Sequence, residues 1–112
     1  MNTKRHLLAL DLKDDPKIIE EYDRYHREVW PEVLASLHDA GIESMEIYRT
    51  GNRLVMIIDV NESFSFEKKA AADLANTKVQ EWETLMSNFQ QTLPWTKPGE
   101  KWLNMERVFE LT

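Results

Sequence analysis

Three ring-bearing side chains recur at intervals of four residues in one stretch of the chain: Tyr22, His26 and Trp30. On a helix this spacing places the side chains one above another on a single face. Aromatic faces cover the C–H side of a pyranose ring, and an imidazole with a pKa near neutrality can move a proton on a bound molecule. The triplet therefore predicts a surface that binds a sugar and transfers a proton on it. The same spacing is also typical of amphipathic core packing, which is the open alternative.

Two further aromatic residues are candidates to complete an enclosure around His26. Trp82 falls in the second helical region and Tyr48 on a predicted strand, and a fold that packs helices on a sheet can bring both near the first helix. Trp82 also lies on an apolar stripe, so plain core packing stays open for it. The other two histidines, His6 and His38, are expected at a strand edge and on a solvent-facing helix surface.

The sequence carries none of the usual signatures of metal or nucleotide chemistry. It has no H-E-x-x-H motif, no cysteine, and only three glycines, too few for a loop that cradles phosphates. We therefore expect no metal, no cofactor and no thiol nucleophile. Proton transfer on a bound neutral molecule needs none of these, and His26 is the candidate for it.

Charge and hydropathy limit the expected partners. The chain has 14 basic and 20 acidic residues, a net charge of −6, and its basic residues are scattered rather than aligned. Such a surface disfavours nucleic acid and anionic substrates, so a neutral small molecule is expected. The apolar run at residues 7–10 is too short for a signal peptide or a membrane span, which predicts a cytoplasmic protein that binds no membrane.

Short apolar runs and alternating segments predict four strands, and Gly51-Asn52 predicts a hairpin turn between the middle two. The predicted strands cover residues 6–12, 42–49, 53–60 and 101–111. Two helical regions separate them. The first begins after an Asp15 cap, breaks where Trp30 precedes a proline, and ends at Gly41. The second covers residues 64–93 and is interrupted near Asn76, where Thr77 and Gln80 read as a capping box.

This order of elements, β-α-β-β-α-β, predicts an α+β ferredoxin-like fold in one domain, residues 1–112, with a four-stranded antiparallel sheet and the helices on one face. Residues 54–58 are apolar at every position, whereas a strand with one exposed face should alternate. The face away from the helices must therefore be covered as well. We expect a homodimer that packs sheet against sheet.

Several motifs resemble those of the L-rhamnose mutarotase family over nearly the whole chain. The resemblance rests on Glu21-Tyr22-x-x-x-His26-x-x-Val29-Trp30-Pro31-Glu32, on Gly41-Ile42 with Ile47-Tyr48, on Gln80-x-Trp82 with Met86, and on Val108-Phe109-x-Leu111. Members of that family are small dimeric ferredoxin-like proteins, of the dimeric α/β-barrel type, that interconvert the α and β anomers of a free 6-deoxy-L-sugar. The resemblance thus implies an isomerase of the aldose 1-epimerase type, in which His26 is the proton donor and Tyr22 contacts the sugar.

The chain departs from the rhamnose-directed members at two pocket positions. It has Met45 where they carry a substrate-contacting tyrosine, and Glu83 where they carry the second of two adjacent tryptophans, the first matching Trp82. This pattern favours the same reaction on another sugar, L-fucose ahead of L-rhamnose. The second proton carrier stays open among Tyr22, Glu83 and a bound water. A non-catalytic sugar- or metabolite-binding module and a cofactor-free oxygenase of the dimeric ferredoxin-like class are the alternative functions.

Overall fold

The computed structural model describes residues 3–112, so the first two residues lie outside the description. The chain forms five strands and four helices in an α+β arrangement. Their bounds, in chain order, are β1 (Lys4–Leu12), α1 (Pro16–Tyr25), α2 (Pro31–Asp39), β2 (Ile42–Thr50), β3 (Arg53–Val60), α3 (Phe66–Ala75), α4 (Thr77–Ser87), β4 (Gln90–Gln91) and β5 (Leu103–Asn104). Each predicted helical region is thus a pair of shorter helices.

The sheet is antiparallel and has β1 near its middle. Its order is β2-β3-β1, and the short strands β4 and β5 both pair with the remaining edge of β1. Leu10 lies opposite Leu54, and neither has any exposed surface. Because side chains alternate along a strand, residues in register with Leu10 share the face that packs under the helices. The antiparallel α+β fold expected from the sequence is confirmed.

Helix boundaries follow the capping signals of the sequence. The Asp15 side chain accepts a hydrogen bond from the backbone N–H of Lys17 at 2.9 Å, and Pro16 occupies the first helical position. Trp30 takes an extended ψ of 136° ahead of Pro31, which separates α1 from α2. Gly41 ends the first helical region with a φ of +99°, in the left-handed range.

Two predictions about the second half of the chain are wrong in detail. The cap of α4 is Asn76 rather than Thr77: the Asn76 side-chain oxygen accepts from the Val79 N–H at 3.2 Å. Asparagine caps a helix at least as well as threonine, which explains the shift by one residue. The last strand covers only Leu103–Asn104 instead of residues 101–111. Its pairing to β1 ends with the Met105 N–H donating to the Leu7 carbonyl at 2.7 Å.

Two groups of buried side chains fill the space between sheet and helices. The larger group packs α1, α2 and α4 on β1 and β3, with Leu12, Tyr22, Val33, Leu54, Trp82 and Met86 as its buried members. The smaller group lies at the other end of the sheet and consists of Leu8, Ile42, Ile58 and Val60. Trp102 is half-buried and packs against both groups. Over residues 3–112, none of the helices is both long enough and apolar enough to cross a membrane.

Candidate active site

A cluster of aromatic rings surrounds His26 in the larger core group. We call it the ring cluster, and it consists of Tyr22, Tyr25, His26, Trp30, Trp82 and Phe89. The His26 ring lies 4.2 Å from the Tyr22 ring, centroid to centroid, and 5.6 Å from the Trp82 ring. Trp82 in turn meets the edge of Trp30 at 5.1 Å. Three residues predicted from their spacing, Tyr22, His26 and Trp30, are therefore brought together with Trp82 in one place.

The end of α1 fixes the orientation of the His26 ring. His26 is the C-cap residue of this helix, and its Nδ1 lies 2.8 Å from the carbonyl oxygen of Tyr22. A carbonyl oxygen only accepts hydrogen bonds, so Nδ1 must carry the proton and donate it. In the neutral imidazole, Nε2 is then the acceptor. The hydrogen bond at the end of α1 thus fixes the imidazole through Nδ1 and leaves Nε2 as the nitrogen that can accept a proton.

Burial sets the protonation state of His26. It lowers the pKa of the imidazole below the ordinary value of 6.5, because the charged form loses hydration. The hydrogen bond to the Tyr22 carbonyl and the nearby Asp23 carboxylate act in the opposite direction and are smaller effects. The neutral form therefore prevails at pH 7. In this state His26 can act as a base, and it can donate a proton only after it has taken one up.

Tyr22 lies one helical turn before His26 and is 3% exposed. Burial raises the pKa of its phenol well above the ordinary value of 10, and the Asp23 carboxylate raises it further. A hydrogen bond from the side chain of Gln90 opposes this rise. The phenol is therefore protonated at pH 7, and its hydroxyl can donate a hydrogen bond as well as accept one.

An ion pair ties α1 to the β2–β3 hairpin beside the site. The Arg49 guanidinium meets both carboxylate oxygens of Asp23, at 2.6 and 3.1 Å, and also donates to the Gly51 carbonyl at 2.9 Å. Arg49 lies in register with Leu54, on the face under the helices. The pair is half-exposed, so its role is geometric: it holds the helix that carries Tyr22 and His26 against the turn.

Tyr48 does not join the ring cluster. It lies opposite Val55 in the sheet, on the face away from the helices, and 55% of its surface is exposed. Its hydroxyl donates to the Glu46 carboxylate at 3.3 Å. Within this chain Tyr48 therefore lies outside the ring cluster, and its contact with a sugar stays a prediction. Strand alternation in the sequence already indicated that Tyr48 lies on the face opposite to Met45 and Ile47.

Met45 and Glu83, the two departures from the rhamnose-directed pattern, lie outside the ring cluster. Met45 is half-buried on the helix-facing side of β2 and packs against the smaller core group. Ile47, two residues along the same strand face, packs against the larger group that holds Tyr22 and Trp82. Glu83 follows Trp82 on α4 and is half-buried. Glu83 is thus the sequence neighbour of a ring-cluster residue, whereas Met45 packs against the smaller core group.

The sequence reasoning missed Gln90. This residue forms the short strand β4 with Gln91 and lies opposite Leu12, which is fully buried. Its side chain lies close enough to Tyr22 to lower the pKa of the phenol. A two-residue strand has no periodicity to detect, and the pairing partner of β4 lies nearly 80 positions earlier in the chain. Among residues 3–112, no cluster of three or more His, Cys, Asp and Glu side chains is arranged to hold a metal ion.

Comparison with known proteins gives a consistent result. A family model described as L-rhamnose mutarotase matches residues 5–111. The chain is 48% identical to the L-fucose mutarotase of Xanthomonas campestris pv. campestris, over all of this chain and 91% of that protein. It is 29% identical to the L-rhamnose mutarotase of Paraburkholderia phytofirmans, over 93% and 94% of the two chains. The crystal structure of an L-rhamnose mutarotase from Formosa agariphila shares the fold, with a TM-score of 0.70 at 22% identity, over 97% of this chain and 99% of that one.

Proposed function

The chain belongs to the L-rhamnose mutarotase family, and from that premise we propose that it interconverts the α and β anomers of a free 6-deoxy-L-hexose, with L-fucose preferred over L-rhamnose. The general activity, that of a sugar mutarotase and hence an isomerase, follows from the family and from the two named relatives. The identity of the sugar, the site residues and the chemical steps are our proposal.

One observation carries the assignment of the catalytic base. The Nδ1–H of His26 donates to the Tyr22 carbonyl, which leaves Nε2 as a basic nitrogen within a cluster of aromatic rings. Rings of this kind cover the apolar face of a pyranose, as Tyr22, Trp30 and Trp82 would do here. The base is thus oriented by its own helix and needs no further residue to select its tautomer.

We assign the steps of the reaction as follows. His26 takes the proton of the anomeric hydroxyl as the bond between C1 and the ring oxygen breaks, and a second group protonates that oxygen. The product is an open-chain aldehyde, and rotation about C1–C2 followed by the reverse proton transfers closes the ring with the other anomeric configuration. The hydrogen bond from Nδ1 to the Tyr22 carbonyl favours the imidazolium that forms in between. Tyr22, Glu83 and a water molecule remain the candidates for the second group.

Two lines of support favour L-fucose. The relative with 48% identity over the whole chain is named an L-fucose mutarotase. Glu83 adds a hydrogen-bond acceptor where an indole would only donate, and Met45 removes a phenol hydroxyl. A buried polar group matched to one hydroxyl stereochemistry is left unpaired by the epimer, which costs about 1–3 kcal/mol. The preference should accordingly be roughly ten- to hundredfold.

Saturation-transfer NMR on each sugar, with and without the protein, tests the proposal directly because it measures the exchange between anomers. The His26→Ala variant should lose about 10²–10⁴-fold of the catalysed rate while it still binds sugar and stays folded. His38→Ala serves as the matched control, since His38 lies on α2 and is exposed. Wild-type rates in His26→Ala would assign the base to another residue.

The same measurement on L-fucose and L-rhamnose in parallel tests the sugar preference. Faster exchange of L-fucose by a factor of ten or more supports the assignment of Glu83 and Met45 to the sugar-binding wall. Equal rates, or faster exchange of L-rhamnose, would remove both residues from that wall and leave the His26 step in place.

We further propose that the protein is a homodimer. On the sheet face away from the helices, Leu7, Val55 and Ile57 are only half-buried by this chain, and Tyr48 is exposed. Beyond β5, the side chains of Val108, Phe109 and Leu111 are 94%, 75% and 85% exposed. Apolar side chains that remain in water forgo roughly 25 cal/mol per Å² of burial, and a second copy supplies a surface for them.

A further inference from the structure

We propose that Gln90 is a further substrate-binding residue, whose side-chain amide acts with the Tyr22 hydroxyl to bind one hydroxyl group of the sugar. The inference rests on the proposed function in one respect only, namely that the ligand is a sugar. It adds a specificity-determining contact on β4. This strand carries none of the site residues that were predicted from the sequence.

The position of β4 in the sheet directs Gln90 toward the site. Gln90 lies opposite Leu12, whereas Gln91 lies opposite Asp11. Leu12 belongs to the larger core group together with Tyr22 and Trp82. Since residues paired across a sheet share a face, Gln90 is on the side of the helices and Gln91 is on the opposite side. The two neighbouring glutamines therefore differ in the face they occupy while sharing the same strand.

The amide oxygen of Gln90 has no donor. Its Oε1 is buried, and no hydrogen-bond donor among residues 3–112 reaches it. Nine in ten or more of buried polar groups in proteins are paired, and a buried unpaired oxygen destabilises the fold. Such a group is expected where a ligand completes the pairing. Because this oxygen is buried, a sugar that reaches it has to displace the atoms that cover it.

The other end of the same amide contacts Tyr22. The side chain of Gln90 lowers the pKa of the phenol, which is the effect of a hydrogen-bond donor, so the amide N–H faces the Tyr22 oxygen. The O–H of Tyr22 is then available as a donor, beside an amide oxygen that lacks one. A sugar hydroxyl both accepts and donates a hydrogen bond. One hydroxyl can therefore accept from Tyr22 and donate to Gln90 at the same time.

The test compares Gln90→Met with Gln91→Met. Methionine keeps the length of the side chain and removes the amide. Gln91 is exposed on the same strand, so Gln91→Met controls for the effect of placing a methionine on β4. Titration with L-fucose and with L-rhamnose, followed by the fluorescence of the four tryptophans, gives the affinities. We expect Gln90→Met to weaken the binding of the preferred sugar at least tenfold and Gln91→Met to change it less than twofold. Equal affinities in wild type and Gln90→Met overturn the inference.

Deoxy analogues of the preferred sugar identify the hydroxyl and separate this role from a structural one. In the wild type, the analogue that lacks the contacted hydroxyl should bind at least tenfold more weakly than the parent sugar. In Gln90→Met that difference should shrink severalfold, while the differences for the other analogues stay the same. If every analogue loses as much affinity in the variant as in the wild type, Gln90 only supports the fold or binds a buried water, and the inference fails.

A measurement on the wild type avoids any dependence on the folding of variants. The side-chain amide signals of Gln90 in a nitrogen-15 correlation spectrum should shift when L-fucose is added, and those of Gln91 should not. Unchanged Gln90 signals at saturating sugar overturn the inference. The anomer-exchange assay is independent of all three readouts. A wild type that binds sugar without exchanging it would refute the mutarotase mechanism alone, whereas a wild type that binds neither sugar would refute both proposals.

Discussion

At the scale of single residues, the proposed site depends on two groups whose ordinary chemistry is altered by burial. His26 loses proton affinity, and Tyr22 holds its proton more tightly. Both effects follow from the cost of placing a charge away from water. The result is a neutral base and a neutral donor side by side, which suits a neutral sugar better than an ion pair would. A chain with a net charge of −6 thus keeps this part of its interior uncharged.

The pH dependence of exchange tests the state of His26. Because burial lowers its pKa, the catalysed rate should be constant around pH 7 and fall as the pH decreases, with a midpoint below 6.5. Exchange rates measured from pH 4.5 to 8, after subtraction of the rate without protein, check this. The ring signals of His26, identified by their loss in His26→Ala, should titrate at the same midpoint. A midpoint at or above 6.5 would mean that the ring is more hydrated than the fold implies.

Protein stability should follow the same group with a defined sign. A histidine whose pKa is lower in the folded state binds more protons when unfolded, so unfolding is favoured by acid. The contribution of His26 is therefore complete above its unfolded pKa of about 6.5 and is lost as the pH falls toward its folded value.

At the scale of elements, the first half of the chain could be predicted because its signals are local. Asp15, the Trp30-Pro31 break and the hairpin at Gly51 each involve neighbours in sequence, and the structure has all of them. Structural features that depend on residues far apart in the sequence could not be predicted from local signals. Gln90 acquires its environment only by pairing with Leu12, and the extent of the last strand depends on what lies beside it.

Gly41 is the glycine whose replacement should harm the fold most. A Cβ at this position would lie 2.5 Å from the Asn61 Oδ1 and 2.8 Å from the Ser63 Oγ, and the φ of +99° is unfavourable for any other residue. The Asn61 oxygen is itself held by the Ser63 N–H and hydroxyl, so it cannot easily move. Gly51 also has a positive φ but open space around it.

These two glycines form a matched pair for denaturation experiments. Gly41→Ala should reduce the free energy of unfolding by more than about 2 kcal/mol, because backbone strain and steric overlap add. Gly51→Ala should cost about 1 kcal/mol, from backbone strain alone. Urea titration monitored by circular dichroism measures both. Equal losses in the two variants would show that the loop at Asn61 rearranges to accept a methyl group.

At the scale of the whole molecule, the face of the sheet away from the helices and the segment after β5 share one property. Both present apolar side chains that this chain leaves partly or fully in water, among them Ile57, Phe109 and Leu111. The sequence resemblance already included Val108-Phe109-x-Leu111, and the structure gives those residues no packing role within residues 3–112. Exposed apolar side chains in such numbers are typical of a surface that another chain covers. The proposed homodimer would cover both surfaces at once.

Two substitutions at sites of equal exposure test the dimer. Phe109 and Leu74 are each 75% exposed, the first beyond β5 and the second on α3. Because neither side chain supports the fold of one copy, Phe109→Asp should leave the melting temperature of the isolated chain unchanged. It should nevertheless shift the mass measured by light scattering at micromolar concentration from two copies toward one, since it places a charge in a desolvated interface. Leu74→Asp should leave the mass at two copies. A wild type that is monomeric and folded at that concentration would refute the dimer, and a Phe109→Asp variant that stays dimeric would confine the interface to the sheet face around Val55 and Ile57.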